Sequence, residues 1–128
     1  MPRSSLEAFT ALWRAYGEGR LERSLDLVDP DCVITFTDGT TTLRGHDGIR
    51  GWLADARGAW KTLTVTYSAV LEPGPDCLIG LGRLRASAFE GAELDWQIAF
   101  VAEFDTGRLV RGRMFRDREA ALQHVAER

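Results

Sequence analysis

The stretch ELDWQIAFVAEFDTGRLVRGRMFRD, residues 93–117, decides the fold. From Leu94 to Phe104 large apolar residues recur at every second position, the period of a half-buried strand. Asp105-Thr106-Gly107 then supplies a turn, and Arg108 to Arg116 alternates again, so the segment predicts two antiparallel strands. Asp117, ahead of Arg-Glu-Ala-Ala-Leu, is the N-cap of a closing helix that runs to about Ala126.

Working upstream, Glu90-Gly91 and Pro73-Gly74-Pro75-Asp76 are turns. They set off two more strands, Cys77 to Phe89 and Thr62 to Leu71. Before Trp60 the period is helical. Leu6, Phe9, Leu12, Trp13 and Tyr16 form one stripe behind a serine cap at Ser4 or Ser5, and Ile49, Trp52, Leu53 and Ala56 form another between Gly45 and Gly58. A short helix carrying Leu21, Leu25 and Val28 is expected to end at Pro30. Asp31 to Asp38 reads as a strand closed by the Asp38-Gly39 turn. The order is helix, helix, strand, helix, four-strand meander, short helix: one α+β domain over 1–128.

The composition excludes several classes. At 128 residues, 45% hydrophobic and 27% charged, the chain is neither disordered nor of low complexity. Net charge is −3, although of 16 basic residues only Lys61 is a lysine. No overall basic field draws it to nucleic acid or an anionic membrane. Cys32 and Cys77 stand apart with no CxxC pattern or Cys/His cluster. Two buried thiols in a reducing compartment are expected, with no metal and no cofactor. No segment approaches the roughly 20 apolar residues of a membrane span, and the start of the chain lacks an apolar leader, so a cytoplasmic location is expected.

Three groups of residues carry a family resemblance. Gly19-Arg-Leu-Glu-Arg-Ser-Leu25 leads to Asp29-Pro-Asp-Cys-Val-Ile34, Leu43-Arg-Gly-His-Asp-Gly-Ile-Arg50 enters a helix, and Phe104-Asp-Thr-Gly-Arg-Leu-Val-Arg111 is followed by Phe115-Arg-Asp117 and Ala120-Ala-Leu122. In order and spacing they resemble the SnoaL-like and ketosteroid-isomerase-like branch of the nuclear transport factor 2-like superfamily. The resemblance implies a cone, in which a strongly curved antiparallel sheet wraps three N-terminal helices and a pocket opens at one end. It also implies a small-molecule ligand, with lyase, isomerase or cyclase chemistry in some members and none known in others.

Ketosteroid isomerases use an aspartate base, with a tyrosine and a protonated aspartate as oxyanion hole. Aligned on the landmarks, those positions fall at Phe36, Leu12 and Phe100. None can move a proton or stabilise an oxyanion, so isomerase chemistry is not inherited. The same alignment turns Cys32, Ile34, Phe36 and Asp38 inward, together with Trp96, Ile98, Phe100, Ala102 and Phe104, and Val110, Gly112, Met114 and Arg116. Gly80 and Gly82 would leave room for a ligand or allow a sharp bend.

The expected pocket lining is Leu12, Trp13, Ile34, Phe36, Trp52, Trp60, Trp96, Ile98, Phe100, Met114 and Arg116. Such aromatic walls suit an apolar cyclic metabolite, although core packing alone also accounts for tryptophans. Asp38, Asp117 and Tyr16 are the catalytic candidates. Each has a plain structural reading: a turn corner, a helix cap and a core tyrosine. His46 and His124 have no metal-ligand spacing. Arg111 and Arg113 are expected outside, with Arg83, Arg85, Asp95, Gln97 and Glu103. The resemblance implies a homodimer through that outer sheet face. The competing expectation is a non-catalytic dimeric module whose pocket its own aromatics fill.

Overall fold

In the computed structural model, which describes residues 4–127, four helices and six strands form an α+β fold. The reading of the chain's start falls partly on residues 1–3, outside the described residues.

Helix α1 (Ser5–Gly17) starts where Ser4 accepts the amide of Glu7 at 3.2 Å, and it buries Ala8, Phe9, Leu12 and Ala15. Helix α2 (Leu21–Leu25) is shorter than its apolar spacing predicts. Val28 already belongs to strand β1 (Val28–Thr35), which contains Pro30. Proline lacks the N–H a ladder needs, and it sits where the register shifts between Val28 and Val33, so no ladder bond is lost.

The Asp38 turn leads to a strand with no sequence signature, β2 (Thr42–Arg44), antiparallel to β1. Helix α3 (Gly45–Ala59) follows. Gly45 opens it at φ +68°, where a Cβ would lie 2.8 Å from the Pro30 carbonyl oxygen, so only glycine fits both the dihedral and the space. The carbonyl of Val28 accepts from His46 Nε2 at 2.7 Å, tying the start of α3 to β1.

The meander is β3 (Trp60–Gly74), β4 (Cys77–Ala88), β5 (Glu93–Asp105) and β6 (Arg108–Phe115), followed by α4 (Arg118–Ala126). Strand order is β2-β1-β6-β5-β4-β3, in one unclosed sheet. All pairs are antiparallel except β1–β6, which is parallel, its long connection made of β2, α3 and the first three strands of the meander.

A register shift between Glu103 and Phe104 changes the expected parity at the start of β6: Leu109, not Val110, is the buried residue of the inner core. Gly112 and Met114 face inward as the alternation predicts.

The outer face is not wholly free. Ala121 and Val125 of α4 pack on Ile79, Ala99, Val101 and Phe115 there. What stays exposed is a polar strip in which Asp95 pairs with Arg83 at 2.9 Å and Arg85 at 3.6 Å. Cys32 and Cys77 are both buried, in the clusters on opposite sides of the sheet.

Candidate functional site

Between the helices and the concave sheet lies a cavity of about 350 Å³. Every layer contributes to it: α1 through Leu12, Trp13 and Tyr16, β1 through Ile34, α3 through Trp52, β5 through Trp96, Ile98 and Phe100, and β6 through Met114. Phe36, just beyond β1, meets Trp52 with ring centroids 5.1 Å apart, and Phe100 meets Trp13 edge-on at 5.8 Å. Leu12, Phe36 and Phe100 thus line one apolar chamber.

Two residues expected in the lining lie elsewhere. Trp60 opens β3 opposite Ala88, at the far end of the sheet. Arg116 is exposed, with its guanidinium carbon 3.8 Å from the centroid of Trp96; it buttresses a wall residue by a cation–π contact.

Further lining residues include Ile49 and Leu53 on the helical stripe of α3. Val65, Leu84 and Leu43 also line it, on strands whose facing the sequence left open or whose existence it concealed.

The glycines act as sockets. A Cβ on Gly80 would lie 2.7 Å from both the Phe9 and Tyr67 rings, and one on Gly112 would lie 2.5 Å from Phe100. A Cβ on Gly82 would overlap the carbonyl of Thr66, so this glycine serves a tight backbone approach. None of these three glycines makes room for a ligand.

The three catalytic candidates are not brought together. Asp38 lies exposed at the rim of the cavity. One of its carboxylate oxygens accepts the amides of Thr40 and Thr41 at 2.9 and 2.8 Å, and the other accepts the Thr41 hydroxyl at 2.5 Å. The Thr41 hydroxyl above all, then the two amides, hold its pKa down to about 2. A carboxylate so acidic is a poor proton acceptor near neutral pH.

Asp117 is outside the chamber and caps α4, accepting the amide of Ala120 at 2.7 Å. Tyr16 lines the cavity; burial raises its pKa, and Arg57 partly opposes that rise. Ser24 is also in the lining, but its hydroxyl is committed to the carbonyl of Leu21 at 2.6 Å. Among the described residues no group of three His, Cys, Asp or Glu is placed to hold a metal ion, and no helix is long and apolar enough to cross a membrane.

The model of the SnoaL-like domain matches residues 7–112, and the chain belongs to that family. No curated protein matches it in sequence. Among solved structures, an NTF2-like protein from Burkholderia thailandensis E264 is 21% identical, with a TM-score of 0.81 over 96% of this chain and 98% of that one. TerC, co-crystallised with polyporic acid, is 19% identical at a TM-score of 0.79, with coverage of 97% and 98%. A Mycobacterium tuberculosis protein in complex with estradiol-17beta-hemisuccinate is 19% identical at a TM-score of 0.77, with coverage of 91% and 97%. Similarity at these identities establishes a shared fold.

Proposed function

We propose that this member of the SnoaL-like family binds a flat, apolar, cyclic small molecule in the chamber between its helices and its concave sheet. The observation that carries this reading is the chamber itself. About 350 Å³ stays open although four aromatic rings of the lining (Trp13, Phe36, Trp52 and Phe100) contact one another in pairs, so the aromatics do not fill their own pocket. That volume lies within the range of about 300–1,000 Å³ of small-molecule sites, and the lining is apolar apart from a few groups, as such sites are. Cyclic ligands in two structural neighbours, polyporic acid and estradiol-17beta-hemisuccinate, support the same reading.

Binding is favoured over proton-transfer catalysis by the state of the candidates. Asp38 is engaged in its turn, Asp117 in its cap, and Tyr16 has no base beside it in the lining. We place self-association on the exposed strip of Arg83, Arg85 and Asp95, beside the part of the outer face that α4 covers.

Titration with fluorene, a flat tricyclic hydrocarbon, followed by ligand-observed NMR, tests the pocket. One-to-one saturable binding is expected, and it is lost in Leu84→Trp, which places an indole in the chamber while the melting temperature holds. Absence of saturable binding, or undiminished binding by Leu84→Trp, overturns the proposal.

A further inference from the structure

The chamber is apolar within and charged at one point of its rim. Asp38 is the one carboxylate in the lining, and no lysine or arginine lines it. Phe36 stands two residues ahead of Asp38, and one hydrogen-bonded turn carries both. The Phe36 carbonyl accepts the amide of Gly39 at 3.0 Å, and the Phe36 amide donates to the carbonyl of Thr41 at 2.9 Å. Trp52 of α3 adds a second ring to this corner, 5.1 Å from that of Phe36. Both rings line the chamber and are only partly buried, so two aromatic rings and a carboxylate border the same space.

Two arginines stand nearby without cancelling the charge. Arg116 lies against Trp96, and Arg113 reaches Gly39, where a Cβ would lie 3.6 Å from its Nη2. Neither is in the lining, and among the described residues no cation pairs with Asp38. Its partners are the neutral hydroxyl of Thr41 and the amides of Thr40 and Thr41, which keep it ionised near neutral pH. They engage three of the roughly four lone-pair positions of a carboxylate, so one is left for a donor from outside.

A fixed negative charge beside two aromatic rings suits a cation. The negative ring faces attract an ammonium group, and the carboxylate repels any anion. At the rim the ammonium keeps part of its water, so no bare charge has to be buried. We infer that Asp38, Phe36 and Trp52 form a subsite at the rim of the chamber for a protonated amine on the ring ligand. The inference rests on the pocket reading above and adds the charge of the ligand.

Three probes that share the fluorene ring and differ in one short arm test it: 9-(aminomethyl)fluorene, 9-ethylfluorene and 9-fluoreneacetate. At neutral pH the first is a cation, as alkylamines are, and the last an anion. The wild-type protein is expected to bind the amine roughly three- to tenfold more tightly than the ethyl compound, and the acetate less tightly than either. Asp38→Asn keeps an oxygen for the two amides and removes the charge; in it the acetate and the ethyl compound bind alike, and the advantage of the amine shrinks. Phe36→Leu lowers the amine-to-ethyl ratio but leaves the acetate disfavoured, a split that a packing defect, which shifts all three probes together, does not produce. Wild-type binding of the amine no tighter than that of the ethyl compound, or an order unchanged in Asp38→Asn, overturns the amine subsite while leaving the pocket intact. If none of the three binds, the pocket reading fails and the subsite with it.

Discussion

The two ends of the same concave face solve opposite problems with the same residue types. At one end Gly80 and Gly112 receive the rings of Phe9, Tyr67 and Phe100, and Phe104 is buried beside them. At the other, Phe36, Trp52 and Trp96 stand around open space. What differs is the partner surface rather than the hydrophobicity. Where a glycine lies beneath a ring, ring and backbone interlock; where bulky side chains of helix and sheet meet only in pairs, space stays open between the pairs. Tight packing is concentrated at the closed end, and open volume at the other.

The largest effect expected from this contrast is between two phenylalanines. Phe104→Ala, at the closed end, should cost ~3–5 kcal/mol, as truncations in tight cores do. Phe36→Ala, half-exposed at the chamber's rim, should cost less than half as much, because its neighbours already border open space. Denaturant unfolding of both variants measures this, and equal losses would break the distinction between the two ends.

Next in size is Gly112→Ala. The added methyl meets the Phe100 ring at 2.5 Å, and overpacking of this kind costs ~1–3 kcal/mol. If the displaced ring moves towards the chamber, fluorene binding weakens in the same variant. Unchanged stability would show that the socket is looser than its geometry.

The smallest effect concerns the rim. Asp38 titrates near 2, below its ordinary 3.8, so its turn is at full strength above about pH 4 and loses that contribution as pH falls through 2. The wild-type protein should therefore lose more melting temperature than Asp38→Asn between pH 4 and pH 2, and the two should run parallel above pH 5. A constant difference across the whole range would mean that the carboxylate's charge does not support the turn.

Much of this was legible in the chain. Alternation after Trp60 gives the meander, and the Ser4-Ser5 pair and Asp117 mark helix starts, because a side-chain oxygen before an apolar stripe can accept the orphan amides of a first turn; the structure selects Ser4 of the two serines. Periodicity also names most of the inward-facing residues. It does not reveal β2, whose three residues are too few to show a period, nor the slip at Glu103–Phe104 that exchanges Val110 for Leu109. Pro30 reads as a stop because a missing N–H usually ends an element; only the bulge makes it harmless. Open space is the least legible feature of all. Sequence shows which side chains face one another, whereas a cavity depends on the curvature that decides whether they touch.

The parallel pairing of β1 with β6 has one further consequence. It joins Val28 to Leu109, 81 positions apart in the sequence, while every other ladder joins neighbours in sequence or strands separated by one short turn. Loop-closure entropy makes such a pairing the slowest to form. The chamber's front wall, carried on β1, is then the last part of the molecule to assemble and the first to open. Amide exchange at Ile34 and Thr35 that is faster than at Ala99 and Phe100 would register that order, and a ligand held in the chamber would slow the opening selectively.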